Sequence, residues 1–206
     1  MKYLIPIISL FFFIHCKKAE VNLAETVLKD GDLIFQTSLS QQSQAIQLAT
    51  KSKYSHCGII YKEGNEYYVY EAIQPVSTTP LKDWIDRGKD DHYVVKRLKD
   101  ADKVLTPSTL KKMKMAGGKL NGKNYDLYFD WSDDRIYCSE LLWKIYKDGA
   151  GIELGRLQKL SDFDLNNPAV KQKLKERYGN AIPKDEKVIS PAAIFNSDLL
   201  YTVTEN

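Results

Sequence analysis

Apolar and polar positions along the chain alternate with a short period in the first half and a longer, helical one in the second. Asp30-Gly31 is a turn signal, and the apolar run behind it predicts a short strand over 32–36. Ser38 is placed to cap a helix whose inner side carries Ala45, Ile46, Leu48 and Ala49. Two strands over 54–61 and 67–72 follow, joined through Lys62-Glu63-Gly64-Asn65-Glu66. A short helix over 81–87 leads into a strand over 92–98. Thr106-Pro107 then supplies a cap and a first-turn proline for a helix that stops at Gly117-Gly118. Another helix starts near Cys138 and ends at Gly149. Asn167-Pro168 and Ser190-Pro191 open two more segments, and the apolar run 199–203 reads as a last strand able to close the sheet. Strands lead and helices follow, which is the order of an α+β fold rather than of a doubly wound parallel sheet.

The hairpin in this pattern gives one of only three histidines a partner. With Gly64-Asn65 as a two-residue turn, Glu63 faces Glu66; with a four-residue loop, Tyr61 faces Glu66. Both registers put His56 and Glu71 on one face of the sheet, as diagonal neighbours about 7–8 Å apart in the first and directly opposite at about 5 Å in the second. A three- or five-residue loop would separate them. A carboxylate beside an imidazole fixes its tautomer and stabilises its cation. An ordinary cross-strand His-Glu pair would look the same at this level.

Leu141, Leu142, Ile145 and Tyr146 recur with helical spacing, so Cys138 falls in or just before the first turn of its helix. Unpaired backbone N–H groups and the positive end of the helix dipole lower a thiol pKa there from about 8.5. Glu140 and Asp134 would act in the opposite sense. Cys57, in mid-strand, reads as a buried and inert thiol. It also points to the face opposite His56, so the two cannot easily share a zinc ion.

Composition narrows the field further. The 206 residues are 43% hydrophobic and 28% charged, enough for one core and one globular domain. No repeat or low-complexity tract is visible. The net charge of +3 is small, and the lysines at 111, 112 and 114 and at 171, 173 and 175 have the spacing of solvated helix faces, which argues against nucleic acid. Lys2 followed by the uncharged, mostly apolar run 3–14 has the form of a signal peptide over 1–15. Cys16 directly after it resembles the lipidated residue of a bacterial lipoprotein, although His15 stands where a small residue is usual. Residues 16–28 would then be a linker and 29–206 the folded domain, in an exported chain anchored through Cys16. Three cysteines do not make a disulfide framework.

"DGDLIF", "YSHCGII", "VYEA", "GKNYDLYF" and "IYCSELLWKIY" occur in the order seen in the YiiX-like permuted papain-fold enzymes, relatives of NlpC-type peptidases. The resemblance runs from about Lys29 to the C-terminus. It implies a six-stranded, barrel-like antiparallel sheet packed on the helix of Cys138. It also implies a triad in which Cys138 is the nucleophile, His56 the base and Glu71 the residue that orients the base. Cys57 departs from the pattern, which usually has a small aliphatic residue there. Two backbone N–H donors at the helix start would stabilise an oxyanion, with Tyr137 or Gln36 as side-chain candidates and Tyr54 and Tyr125 as cleft-lining ones. The expected substrates are amides, such as small peptides of the cell wall or amino-acid amides. Esters or thioesters of lipids are a second reading, and a binding module without turnover a third. No phosphate-binding glycine loop occurs and the histidines are scattered, so neither a cofactor nor a metal is expected.

Overall fold

A computed structural model describes residues 28–206. The expected signal peptide over 1–15, the lipidation residue Cys16 and all but the last residue of the expected linker lie outside the described residues. That last residue, Leu28, is buried in the core, and its carbonyl accepts a hydrogen bond from the Tyr67 hydroxyl at 3.1 Å.

The elements in chain order begin with β1 (Leu33–Ser38), α1 (Gln41–Thr50), β2 (His56–Glu63), β3 (Glu66–Glu71) and β4 (Ser77–Pro80). Next are α2 (Leu81–Asp86), β5 (Gly88–Leu98), α3 (Ala101–Val104) and α4 (Pro107–Gly118). The second half carries β6 (Asn124–Tyr125), β7 (Arg135–Ile136), α5 (Cys138–Ala150), β8 (Gln158–Lys159), α6 (Pro168–Tyr178), β9 (Lys187–Val188), α7 (Pro191–Phe195) and β10 (Leu200–Glu205). Six strands form one antiparallel sheet in the order β10-β5-β1-β2-β3-β4, and the short pairs β6-β7 and β8-β9 stand apart from it. The edges β10 and β4 do not pair, so the expected final strand forms at an edge and leaves the sheet open rather than closing it. Ser40, not Ser38, caps α1 by accepting the Ser43 N–H at 3.2 Å, because β1 continues through Ser38.

Both faces of the sheet are buried, and period-two alternation sorts its residues between them. Leu33, Phe35, Cys57, Ile59 and Tyr70 join Leu141, Leu142, Ile145 and Tyr146 of α5 in the larger cluster. Ile34, Ile60, Val69 and Val95 join Leu81, Trp84 and Ile85 of α2 in the other. This explains the continuous apolar runs in β1 and β2. A third, smaller cluster ties α1 to α6 through Leu48, Ala49, Val170 and Leu174.

The helix that begins at Cys138 is seated by α4. A Cβ on Gly149 of α5 would come within 2.5 Å of the backbone and side chain of Met113 in α4, so the two helices approach as closely as a hydrogen permits. Gly149→Ala should therefore push them apart and cost about 1–3 kcal/mol. A melting temperature lowered by roughly 5 °C is expected in a thermal scan, and an unchanged one would refute this account of the helix contact.

Candidate active site

Gly64 and Asn65 form a two-residue turn between Glu63 and Glu66, the register that makes His56 and Glu71 diagonal neighbours. Gly58 lies two residues along β2 on the same face as His56, and a Cβ there would meet the Val69 side chain at 2.2 Å. The Glu71 carboxylate reaches His56 Nε2 at 2.5 Å.

Glu71 is wholly buried, and such a charge persists only if donors replace its lost water. Besides His56 it accepts from Thr79 Oγ1 at 2.6 Å, from Trp84 Nε1 at 2.9 Å and from Arg87 Nη2. Burial alone would raise its pKa; His56, Thr79 and Arg87 outweigh burial and hold the carboxyl below its usual range. The Trp84 ring also stacks on His56, with centroids 5.8 Å apart.

Cys138 is the first residue of α5 and only 2% exposed. With Nε2 engaged by Glu71, Nδ1 is the ring nitrogen left to hydrogen-bond the sulfur. Burial opposes charge on the imidazole, but the hydrogen bonds from Cys138 and Glu71 prevail and raise its pKa to about 9. Cys138 moves the other way, well below the ordinary thiol range, because the side chains of Cys57 and His56 together outweigh burial. The two shifts run in the directions that favour a thiolate beside an imidazolium. The expected opposition from acidic neighbours is muted: burial pushes Glu140 up to about 8, and Asp134 is exposed.

The structure sorts the sequence-predicted cleft residues. Tyr125 is brought to Cys138, and burial and the sulfur charge push its hydroxyl up; that hydroxyl also accepts from Gln42 Nε2 at 3.3 Å. Tyr137 precedes Cys138 and lines the same cavity, but its hydroxyl accepts the Ile189 N–H at 3.1 Å as a brace. Gln36 pairs with His56 across β1 and β2 and is buried on the His56 side of the sheet. Tyr54 stacks on Phe195 with centroids 4.1 Å apart and lines neither cavity described below, so it packs rather than faces substrate. Cys57 does face away from His56 as expected, but it meets Cys138.

Two spaces flank the pair. A narrow cavity of about 90 Å³, walled by Ala45, Ile46, Phe129, Val170 and Leu174, opens on Cys138 and Ser139. A wider cleft of about 780 Å³ opens on His56 and carries Arg87, Arg135, Gln74 and Asn124. Tyr125, Gln42 and Ile46 border both. Thr79, Trp84 and Arg87 have no signature in the sequence that ties them to the site. Trp84 and Arg87 are three apart on a predicted helix, but which carboxylate they meet follows only from how that helix crosses the sheet.

Replacing Glu71 by Gln should remove the charge that sustains the imidazolium while keeping the side-chain shape. His56 would then titrate well below its value of about 9. Proton NMR of the ring across pH 5–10 reads this directly, and an unmoved midpoint would refute the role given to Glu71.

The chain was compared with known families and structures. Residues 27–204 match the family model of the permuted papain-like amidase enzymes, YaeF/YiiX. The YiiX protein of Escherichia coli (strain K12), itself uncharacterised, is 47% identical over 175 residues, covering 85% of each chain. The crystal structure of metalloprotein yiiX from Escherichia coli O157:H7 superposes with a TM-score of 0.83 at 47% identity, covering 87% of this chain and 98% of that one. Among the described residues of the present chain, no three His, Cys, Asp or Glu side chains converge on a metal position. With a sulfur at a helix start, an open six-stranded antiparallel sheet beside it and a match across most of its length, this chain belongs to the permuted papain-like amidase family of YaeF and YiiX.

Proposed function

We propose that the chain is a cysteine hydrolase that cleaves amide bonds through a thioester on Cys138, with His56 as acid and base and Glu71 as its orienting partner. The observation that carries this reading is the Glu71–His56 hydrogen bond at 2.5 Å beside the buried Cys138, with the imidazole pKa raised and the thiol pKa lowered by their mutual interaction. The thiolate adds to the substrate carbonyl and the oxygen takes the negative charge. Backbone N–H groups at the start of α5, left free by helix geometry, and the Tyr125 hydroxyl stand where that charge develops. His56 gives its proton to the departing amine as the carbon–nitrogen bond breaks. It then takes a proton from the water that attacks the thioester, which releases the acid and restores the thiolate.

The two flanking spaces divide the substrate. The narrow apolar cavity beside Cys138 suits the acyl side, and about 90 Å³ admits a short apolar group rather than a bulky polar one. The wide polar cleft on the His56 side suits the leaving amine of a peptide or amino-acid amide. The apolar cavity also favours a second reading, transfer or hydrolysis of a lipid acyl group held as an ester. Export, with Cys16 lipidated and the enzyme held at the cell envelope, would bring either substrate within reach.

Cys138→Ala should lower hydrolysis by at least about 10³-fold, since the nucleophile supplies the covalent step. Activity should fall as pH rises through about 9, because deprotonated His56 has no proton for the leaving group. The assay pairs short N-acyl amino-acid amides and cell-wall peptides with acyl esters of the same chain length. Turnover of the esters alone would favour the second reading. Retention of every activity by Cys138→Ala would overturn both and leave a binding module.

A further inference from the structure

We propose that the wide cleft on the His56 side selects a leaving amine that carries a free carboxylate, held there by Arg135 and Arg87, so that the amine product is an amino acid. The inference rests on the cysteine-amidase reading and adds to it the chemical class of the leaving group.

The charge of the cleft is one-sided. Two arginines and the side-chain amides of Gln36, Gln42, Gln74 and Asn124 border it, and among the described residues no Asp or Glu does. The chain as a whole is almost balanced, with 27 acidic residues against 30 Lys and Arg, so the cleft departs from the average of its own surface. Arg135 is exposed. Asp126 is the acid that feels its charge, but one Asp126 oxygen accepts the Tyr128 N–H at 2.8 Å and the other has no hydrogen-bond partner, so the guanidinium is not spent on that carboxylate. Arg87 gives one nitrogen to Glu71, yet 44% of its side chain is exposed, and a guanidinium has five N–H donors to share. A carboxylate is the planar acceptor that such forks fit.

Backbone pairing fixes where these groups stand. Arg135 of β7 is in register with Asn124 of β6, and Asn124 Oδ1 accepts from Gln74 Nε2 at 2.6 Å. The Tyr125 N–H holds the other end of the Gln74 amide at 2.7 Å, so this wall is built before any ligand arrives. A second wall joins Arg87, Gln36 and His56. Gln36 is opposite His56 in the β1–β2 register, and its Oε1 lies against the residue after Arg87, because a Cβ on Gly88 would fall 2.1 Å from it. Gln36 is only 2% exposed, and that Oε1 has no hydrogen-bond partner. A buried acceptor without a donor is costly, and in a binding cleft it marks the place of a ligand N–H. An N-acyl amino acid supplies both missing partners: an amide N–H next to the reacting carbon for Gln36 and, two bonds beyond that nitrogen, a carboxylate for the arginines. A neutral amine supplies only the first, and a cationic one is repelled by both arginines. Anchoring the carboxylate also keeps the departing nitrogen beside His56 while it takes up its proton.

The experiment uses the full-length chain and two matched substrates, N-butanoylalanine and N-butanoylalaninamide, which differ only in the charge at the far end of the leaving group. Cleavage of the butanoyl–nitrogen bond frees alanine from one and alaninamide from the other, and mass spectrometry counts both. The carboxylate should raise kcat/KM by about ten-fold over the carboxamide. That advantage should shrink as added salt screens the arginines. In Arg135→Gln the ratio of the two kcat/KM values should fall toward one, and Arg135→Lys, which keeps the charge without the fork, should give an intermediate ratio. Equal kcat/KM for the two substrates in the unmutated protein, or a ratio that Arg135→Gln leaves in place, would overturn the proposal. Calorimetric binding of the same two compounds to Cys138→Ala needs no turnover. Tighter binding of the carboxylate compound, lost when Arg135→Gln is added, upholds the recognition whether or not an amide is cleaved, and equal binding of the two overturns it. Absence of cleavage by the unmutated protein, with that binding preference intact, counts against the hydrolase reading alone.

Discussion

A buried carboxylate with four donors sets the terms for the whole site. Glu71 sits at the end of β3, and the groups that satisfy it come from β2, β4, α2 and the residue after α2. Left unpaired, such a group would take up a proton rather than remain charged in the core. Paired as it is, it remains an anion and makes a protonated imidazole affordable in a place almost without water. The imidazole pKa is raised and the thiol pKa at the start of α5 lowered in consequence, so three elements distant in the chain are linked electrostatically.

The sheet contributes a second constraint, because one strand has to serve both of its faces. His56 and Cys57 leave β2 in opposite directions, His56 toward Glu71 and Trp84 and Cys57 into the core cluster that holds Cys138. Gly58, two residues along β2, lets Val69 of β3 pack closely, since a Cβ on it would meet the Val69 side chain at 2.2 Å. The packing of α5 on α4 through Gly149 then fixes how deep the sulfur sits.

The surroundings of the pair are as unequal as its two sides. Apolar residues from α1 and α6 wall the space beside the sulfur, whereas two arginines and four amide side chains border the space beside the imidazole. The two sides of the site therefore offer different chemistry, one apolar and one polar. Arg87 belongs to both worlds: it satisfies Glu71 and also borders the polar cleft. A substrate anion bound there would be felt by the carboxylate that supports His56.

Much of this was legible in the sequence because it depended on local periodicity. The turn at Gly64-Asn65 decides the parity of the hairpin, and parity alone places His56 and Glu71 on one face. The helical spacing of Leu141, Leu142, Ile145 and Tyr146 puts Cys138 at a helix start. Element ends were less legible: β1 runs on to Ser38 and so moves the cap to Ser40, and β4 was not foreseen, because a short edge strand of Ser and Thr has no apolar pattern. What only the tertiary structure decided is which groups from separate elements share a volume. Trp84, Thr79 and Arg87 gather on Glu71, Tyr125 lines the Cys138 cavity while Tyr54 packs against Phe195, and Cys57 shares a buried cluster with Cys138. Periodicity reports the direction in which a side chain leaves its own backbone; the angle and depth at which a helix crosses a sheet, set by packing over many residues, determine what it meets there.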